Sequence, residues 1–543
     1  MQKLFARKHL MFSIVLALQL CLLFWAGSKK FSFFIDELWS YNLANAYFSP
    51  LLGDIPSFYE RWISQEELIS LVTVNPDHRF AFDSVFYNQE QDVHPPFYYC
   101  ILHFLCSLFP TYFNKWIGLG INIVSFALTQ VVLYTMADRM FKNKHISILV
   151  VVLYGFSLGA VNTAMTIRMY MLLTLFVTLC FFVNVLILDA LVKNESSRRM
   201  ARLIVLLSPI YFLGFLTQYL FVVPAFFISL ILLIIIIGTS RLKLALIYVV
   251  ATMSPLLLSV MTFPAAITHT VGGGYRGAQA ISLLKNESLI DRFSSFAIIA
   301  NKEICFSSWI IFLCLVILAF TVFRLSTKVI EHRQCVLKFS NECNQIVLNC
   351  SGFLWIVTTL STALAFAVLS KITEIKDTRY IFCMYPLIFL SLGSFLCYCA
   401  NFVKIRATLF TCLAIVFAIL LASTQINVKD IKWSQRHAKP LVEALQKDKL
   451  PIVYLTTSPN AWPMMGFYNF FILSRETYAT TDGENVSKLC EDKKDFILFV
   501  SRFVKDHGPI LDRLKSQGCL CENKYLDWHG KGYLVQNCSA EQR

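Results

Sequence analysis

Two adjacent carboxylates, Asp36 and Glu37, are the residues of this sequence with the clearest capacity for chemistry. They lie in the aromatic stretch 31–42, shortly after the first long apolar segment. A carboxylate at the rim of a membrane is partly desolvated and is costly to keep there unless it is paired or functional. The structural alternative is a solvated helix start, where two acids complement the helix dipole. The pair is therefore a candidate for proton transfer at a membrane surface.

Other polar residues lie near the ends of apolar segments. His94 belongs to an Asp-Val-His-Pro-Pro-Phe-Tyr-Tyr stretch, Arg168 and Tyr170 lie between two segments, and Arg379 and Tyr380 precede another. Each has a structural alternative, since proline favours helix starts and an interfacial arginine can snorkel to lipid headgroups. Arginine also binds phosphate bidentately. Together with the carboxylates, these residues indicate a site for a phosphorylated lipid.

The composition is that of a polytopic membrane protein. Of the 543 residues, 57% are hydrophobic and only 15% are charged, whereas soluble proteins carry about 25% charged residues. The net charge of +14 does not indicate nucleic acid, because excess Lys and Arg in membrane proteins lies in cytoplasmic loops. The first apolar segment follows basic residues as a signal peptide does, but it lacks a convincing cleavage site, so we expect a retained anchor.

The apolar segments predict about eleven membrane-spanning helices. The run 203–238 is too long for one helix and is expected to turn at Thr217-Gln218-Tyr219. The approximate bounds of the predicted spans are 10–27, 116–137, 146–164, 169–191, 203–218, 220–238, 244–261, 303–322, 351–370, 381–400 and 407–424.

The loops predict an orientation with the N-terminus inside, because that register makes nearly every short inner loop basic. The segment Pro95–Phe109 is apolar but short, so we expect it to lie on the outer surface as part of a long first outer loop, 28–115. The predicted domains are a membrane domain, 1–424, and an extracytoplasmic domain, 425–543. This register places the candidate site residues on the outer face.

The C-terminal segment 425–543, called the tail below, has ordinary charge density and turn signals, which favour a small α/β domain. The pattern predicts an amphipathic helix over 432–446 and buried strands over 452–456 and 496–500, with a helix after the second strand. Four cysteines of the tail could form disulfides with three possible connectivities; they are Cys490, Cys519, Cys521 and Cys538.

The motifs resemble those of the GT-C glycosyltransferases, polytopic enzymes that use polyprenyl-phosphate-linked sugars. The Asp36-Glu37 pair resembles their acidic signature in the first outer loop. The His94-Pro-Pro-x-Tyr-Tyr element, with Arg168-x-Tyr170 and the later Arg379-Tyr380, is similar to the protein-O-mannosyltransferase-like, family 39 branch. One departure is Gln218-Tyr219, where that branch often has His-Tyr.

The resemblance implies that a hydroxyl of a lipid, glycan or protein acceptor attacks the anomeric carbon with inversion. Asp36 would be the general base, and Glu37 would orient the acceptor or hold a divalent cation if one is used. Arg379, helped by Arg168, would stabilise the charge that grows on the leaving phosphate. His94, Tyr170 and Tyr380 would complete the donor site. The expected location is a plasma, inner or endoplasmic reticulum membrane.

Two other classes of function stay open. A transporter or flippase of lipid-linked sugars would need a polar pathway, which charged residues in mid-span normally mark. The predicted spans carry amides such as Gln19 and Asn162 but almost no charge. A non-catalytic scaffold or receptor would not need a carboxylate pair and two arginines at span ends. The sugar, the acceptor, the isoprenoid length and the metal dependence are not determined by the sequence.

Overall fold

The fold is described by a computed structural model. It describes residues 2–50, 55–271, 275–304, 335–338, 345–348, 350–373, 376–403, 435–457, 461–492, 495–527 and 529–537. The predicted spans 303–322 and 407–424 therefore lie outside the described residues, apart from the first two positions of 303–322.

Helices dominate the described chain. In chain order they are α1 (Gln2–Ser28), α2 (Ile35–Asn45), α3 (Gln65–Ser70), α4 (Phe82–Glu90), α5 (Phe97–Leu108), α6 (Lys115–Phe141), α7 (Lys144–Gly155), α8 (Leu158–Met165), α9 (Tyr170–Val192), α10 (Ser197–Val205), α11 (Leu207–Thr217), α12 (Val222–Gly238), α13 (Leu242–Thr262), α14 (Ala265–Thr270), α15 (Tyr275–Asn286), α16 (Leu289–Ile304), α17 (Cys350–Ile372), α18 (Tyr385–Val403), α19 (Lys439–Asp448), α20 (Ala461–Phe471), α21 (Gly483–Asp492) and α22 (Gly508–Ser516). The strands are β1 (Trp62–Ser64), β2 (Cys335–Lys338), β3 (Gln345–Leu348), β4 (Ile452–Leu455), β5 (Glu476–Thr480), β6 (Asp495–Ser501), β7 (Cys519–Leu526) and β8 (Gly530–Asn537).

The prediction of a multi-pass membrane protein is confirmed. Seven stretches of helix among the described residues are long and apolar enough to cross a membrane; they are Leu10–Ser28, Lys115–Phe141, Tyr170–Val192, Ser197–Thr217, Tyr219–Gly238, Leu242–Thr262 and Phe353–Ile372. The turn expected at Gln218 is present, because α11 ends at Thr217 and Gln218 adopts an extended conformation. The segment expected to be too short to span forms the 12-residue helix α5.

The span expected at 146–164 is broken. Helices α7 and α8 meet at an angle of 56°. Ser157 caps α8 by accepting a hydrogen bond from Ala160 N at 3.2 Å. Gly155 ends α7 where two side-chain amides approach, and an added Cβ would lie 2.2 Å from the Nε2 atoms of both Gln19 and Gln130. A regular helix is therefore replaced by a capped bend.

The chain forms two compact units. The helical unit comprises residues 1–25, 93–98 and 119–429, and the sheet unit comprises 26–92, 99–118 and 430–543. Among the seven apolar stretches that the structure describes, α9 is the most buried, with 83% of its most apolar part covered by protein. Helices α10, α11, α12 and α17 of the helical unit pack against it.

The sheet unit contains a six-stranded sheet in the order β1-β5-β4-β6-β8-β7. Strands β5, β4 and β6 are parallel, and β8 and β7 continue the sheet as an antiparallel hairpin. Strand β1, from the long loop after α1, pairs antiparallel with β5. The buried face of β4 and β6 is apolar, as in Val453, Leu498 and Val500. The compact unit that holds the tail thus also holds most of the first loop.

The predicted strands of the tail are confirmed as β4 and β6, and the helix expected after the second is α22. The amphipathic helix is shorter than predicted, since α19 begins at Lys439, and residues 432–434 lie outside the described residues. The side chains of Cys490 and Cys538 also lie outside the described part, so the disulfides stay a prediction.

Candidate functional site

The predicted site residues divide between the two units. Asp36 and Glu37 belong to the sheet unit, whereas His94, Arg168, Tyr170, Arg379 and Tyr380 belong to the helical unit. Each group is described within its own unit.

In the sheet unit, the two adjacent acids have different surroundings. Glu37 is buried, and Lys30 Nζ lies 2.9 Å from its Oε1 and 2.8 Å from its Oε2. Phe34 N also donates to Glu37 Oε2 at 2.7 Å, so the Glu37 side chain caps the start of α2. Asp36, one residue earlier in the same helical turn, is half-buried. Glu37 therefore fixes the helix start from which Asp36 projects.

Helix α2 is held along its length by further polar contacts. Tyr41 Oη donates to Asn114 O at 2.7 Å and accepts from Gly118 N at 3.0 Å. Asn42 Nδ2 donates to Leu71 O at 2.9 Å. These bonds tie the helix to the start of α6 and to the loop after α3, so the position of Asp36 does not depend on the helix alone.

A cleft of about 520 Å³ opens in the sheet unit beside residues 30–33. The Phe33 and Phe113 rings in its wall lie 4.8 Å apart, and Lys439 Nζ lies 5.2 Å from the centroid of the Phe31 ring. Aromatic rings with a few polar groups are the lining of sites for small organic ligands. The residues of the cleft include Gln65, Thr111, Tyr112, Asn114, Lys115, Gln446 and Asn469.

In the helical unit, Arg168 and His94 are brought together. The Arg168 side chain is only 5% exposed, and its Nη2 lies 3.3 Å from His94 Nε2. The bend between α8 and α9 carries Arg168, and Asn122 of α6 holds that bend by donating to the carbonyls of Ala164 and Thr166 at 3.1 and 2.5 Å. An arginine buried in an apolar bundle is a candidate anion-binding group.

Arg379 and Tyr380 lie in a 3₁₀ turn over Thr378–Tyr380. The Asp377 carboxylate caps this turn by accepting from Arg379 N at 3.1 Å. The Arg379 guanidinium lies 5.3 Å from the centroid of the Tyr380 ring, a cation–π distance. Tyr170 is buried against Phe382, just after the turn, with ring centroids 6.1 Å apart. The structure thus brings Tyr170 close to the segment that carries Arg379.

Sequence reasoning missed Glu303. This acid lies in the last turn of α16, is 8% exposed, and accepts from Asn162 Nδ2 at 3.0 and 2.8 Å through its two oxygens. In the same unit, the Tyr385 hydroxyl is hydrogen-bonded to Thr378 Oγ1 at 2.7 Å. The available signal was an acid at the first position of a predicted span, where carboxylates are rare.

Tyr219 and His269 form another polar contact in the helical unit. Tyr219 Oη lies 2.9 Å from His269 Nδ1, and His269 is buried. The departure noted at Gln218 has a local role, since its Oε1 accepts from Tyr219 N at 2.8 Å. Among the described residues, no group of three or more His, Cys, Asp or Glu side chains is arranged to hold a metal ion.

No family model matches the sequence, and no curated protein matches it. A crystal structure of ArnT from Cupriavidus metallidurans bound to undecaprenyl phosphate is similar, with 10% identity, a TM-score of 0.49, and coverage of 97% of this chain and 98% of that chain. The apo state of ArnT has 10% identity, a TM-score of 0.44, and coverage of 90% and 96%. Scores at this level assign no function and no residue role to this chain.

Proposed function

We propose that this chain is a membrane glycosyltransferase of the GT-C type. It would move a sugar from a polyprenyl-phosphate-linked donor to a hydroxyl of a lipid, glycan or protein acceptor, with inversion. The observation that carries the proposal is the contact between buried Arg168 and His94 within an apolar helical bundle.

The physical basis is the cost of burying an arginine. A guanidinium in an apolar bundle is unfavourable unless polar or anionic groups surround it. Beside an imidazole, its planar donors suit the oxygens of a phosphate. A lipid-linked donor supplies that phosphate at the depth where the bundle meets the headgroups. We therefore assign the binding of the donor phosphate to His94 and Arg168. Tyr170, two positions after Arg168, would belong to the same site.

Arg379 would stabilise the departing phosphate. The capped turn and the Tyr380 ring restrict its guanidinium, so little ordering is required when charge develops. Preorganised donors of this kind act on the transition state more than on the ground state. The bond from the anomeric carbon to the phosphate oxygen breaks with its electron pair, and Arg379 would bind that oxygen.

Asp36 would be the general base. It is half-buried at the first turn of α2, whereas both oxygens of Glu37 are engaged by Lys30 and by the backbone of Phe34. This difference supports proton transfer at Asp36 and a positioning role for Glu37. The aromatic and amide-lined cleft beside residues 30–33 would receive the acceptor.

The experiment is a transfer assay in membranes, with a panel of radiolabelled hexoses and pentoses linked to undecaprenyl phosphate. Asp36→Asn should lower transfer by about 10²–10⁴-fold while binding of undecaprenyl phosphate is kept, since only the base is removed. The matched control is Asp83→Asn, because Asp83 is an exposed acid in the first turn of α4. Near-normal transfer by Asp36→Asn would refute the assignment of Asp36 as the general base. A protein that undecaprenyl phosphate stabilises but that transfers no sugar would refute the enzyme in favour of a carrier of lipid-linked sugars, and a protein that shows neither property would favour a scaffold.

The proposal places the site and the C-terminus on the extracytoplasmic face. The basic loops after α6 and α9 would then be cytoplasmic. In intact cells, a membrane-impermeant maleimide should label a cysteine placed at exposed Asn286 and should miss one at exposed Lys142. The reverse labelling would overturn this orientation.

A further inference from the structure

The hairpin turn between β7 and β8 holds a histidine in a defined position. Asp527 Oδ1 accepts from His529 N at 2.7 Å and from Gly530 N at 3.2 Å, and Asp527 Oδ2 accepts from Tyr525 Oη at 2.7 Å. Gly530 has φ +153°, and an added Cβ would lie 2.1 Å from Val500 O, so glycine is required there. These contacts fix the backbone conformation of the turn, and with it the position of the His529 side chain.

The His529 ring rests on helix α20. An added Cβ at Gly466 would lie 2.3 Å from His529 Cγ, so the imidazole occupies the space that this glycine leaves. The backbone carbonyl of His529 accepts from Arg502 N at 2.8 Å, which ties the turn to the end of β6. The His529 side chain is only 8% exposed. The contacts with Gly466 and Arg502 therefore hold a buried histidine in a fixed position within the sheet unit.

The same helix connects His529 to Asp36. Helix α20 packs against α2, the helix whose first turn carries Asp36. Burial lowers the pKa of His529 below its usual 6.5, and the nearby Arg502 acts in the same direction, while the charges of Asp527 and Asp36 act against it. The imidazole is therefore neutral at pH 7 and lies within the electrostatic range of Asp36.

We propose that His529 is the proton acceptor that restores Asp36 after each transfer. This inference rests on the proposed function, in which Asp36 is the general base. Neutral imidazole is the side chain best suited to relay a proton near pH 7. The tail would thus supply a positioning and relay residue to the chemistry of a carboxylate almost five hundred positions earlier in the sequence.

The proton and electron balance is complete without a further reactant. The acceptor oxygen forms its bond to the anomeric carbon, and the bond from that carbon to the phosphate oxygen breaks with its electron pair. The hydroxyl proton passes to Asp36, then to neutral His529, and finally to water. The charged groups that act on the imidazole are Asp36, Asp527 and Arg502. Tyr525, which donates to Asp527, lies 3.2 Å from His437 Nε2.

The first experiment measures the coupling of the two residues without any activity. A base whose pKa is lowered on folding binds fewer protons in the folded state, so its stability contribution is full above 6.5 and is lost as the pH falls below that value. Asp36→Asn removes a charge that favours the imidazolium. The melting temperature of this variant should therefore fall further on acidification than that of the wild type. In the His529→Gln background, Asp36→Asn should leave the fall in melting temperature at acidic pH unchanged. An equal effect of Asp36→Asn in both backgrounds would overturn the pairing.

The second experiment tests the relay in the transfer assay, with whichever undecaprenyl-phosphate-linked sugar of the panel is used. His529→Gln should lower kcat by less than about 10²-fold, the lower limit for removing a base, with the donor KM unchanged. The acid limb of the pH–rate profile should also move to lower pH, because protonation of His529 no longer contributes to it and only the requirement for an ionised base remains. A purely structural histidine would change stability and leave the acid limb in place, and that result would overturn the relay.

A glycine pair provides the matched control. Gly466→Ala places a methyl group against the imidazole and should lower kcat as His529→Gln does. Gly483→Ala, at the start of α21, meets only the Ile510 side chain, with Cγ1 at 3.4 Å and Cδ1 at 3.6 Å, which are ordinary contacts, and should leave kcat unchanged. Equal rates for the two alanine variants would count against the relay. Coupling in the melting experiment without sugar transfer by any variant would keep the Asp36–His529 pair and refute the transferase.

Discussion

The two units solve the same problem, the positioning of a reactive side chain, by different means. The sheet unit fixes the turn that carries Asp36 with a buried ion pair, Lys30–Glu37. The helical unit fixes the bend that carries Arg168 with a neutral amide, Asn122, bound to two backbone carbonyls. Desolvating two charges is expensive in an apolar bundle, and a neutral amide avoids that cost. The comparison teaches that the residue next to a functional group can be structural, even when it has the same charge.

The largest expected effect comes from breaking the ion pair. Lys30→Met should lower the free energy of unfolding by about 3–5 kcal/mol, because it removes the buried cation that contacts both oxygens of the buried Glu37 carboxylate. Thermal unfolding in detergent measures the effect. The side chains of Lys30 and Glu37 are 0% and 1% exposed, so solvent cannot replace the missing partner.

The double variant Lys30→Met/Glu37→Gln should recover much of that loss, since the glutamine is neutral and can still accept from Phe34 N. Lys29→Met is the control, because Lys29 is the neighbouring lysine and is exposed. If Lys30→Met and Lys29→Met melt at the same temperature, the ion pair does not fix the start of α2.

The next effect concerns the arginines of the helical unit. Arg379→Lys and Arg168→Lys keep the charge but lose the planar fork, so each should weaken binding of undecaprenyl phosphate. The loss of a charged hydrogen bond is worth about 1.5–3 kcal/mol, or roughly 10- to 100-fold in Kd. Binding of undecaprenyl phosphate to the purified protein measures it.

Arg198→Lys is the matched control, because Arg198 is an exposed arginine of α10. Wild-type affinity in both test variants would show that Arg168 and Arg379 only anchor the bundle at the headgroups. Weaker binding of undecaprenyl phosphate in Arg168→Lys alone would restrict the phosphate site to the bend between α8 and α9.

The predictability of these features follows from the range of the interactions behind them. The spans were predictable because crossing a membrane requires about 20 apolar residues in a row. Strands β4 and β6 were predictable as short apolar runs. The pairing of β1 with β5 was not, because it joins segments more than four hundred positions apart.

The candidate site shows the same limit. Residue types and the ends of spans identified Asp36, Arg168 and Arg379 as candidates. The sequence did not separate Asp36 from Glu37, because that difference depends on where Lys30 lies in the fold. Glu303 and His529 were missed, since each is recognisable only by its spatial neighbours.

A smaller effect is expected from the neutral amide of the bundle. Asn122→Leu removes two hydrogen bonds to the carbonyls of Ala164 and Thr166, each worth about 1 kcal/mol net. The bend should loosen, and binding of undecaprenyl phosphate should weaken because Arg168 is less well positioned. Thermal unfolding and phosphate-lipid binding measure the two consequences.

Thr135→Val on the same helix is the control, since the Thr135 hydroxyl is exposed and bonds only within α6, to Val131 O at 2.7 Å. Lost stability with unchanged lipid binding in Asn122→Leu would mean that the bend does not position Arg168.

The smallest effect is expected at Glu60, which joins the first loop to the sheet through exposed bonds. Its carboxylate accepts from Tyr478 Oη at 3.0 Å, Thr480 Oγ1 at 2.8 Å, Thr481 N at 3.2 Å and Asn485 Nδ2 at 3.0 Å. Burial alone raises the pKa of Glu60, but these four hydrogen bonds outweigh it and leave the pKa below the ordinary 4.5.

The sign of the pH dependence follows from that lowered pKa. The folded state binds fewer protons than the unfolded state, so the contribution of Glu60 is full above pH 4.5 and is lost as the pH falls through its folded pKa. Glu60→Gln should therefore destabilise the protein at pH 7 and not at pH 3, by less than about 1 kcal/mol because water screens the exposed carboxylate. Glu66→Gln, an exposed acid in the first turn of α3, should have no such effect. An equal melting temperature for Glu60→Gln and wild type at pH 7 would show that strand pairing alone, between β1 and β5, holds the first loop to the sheet.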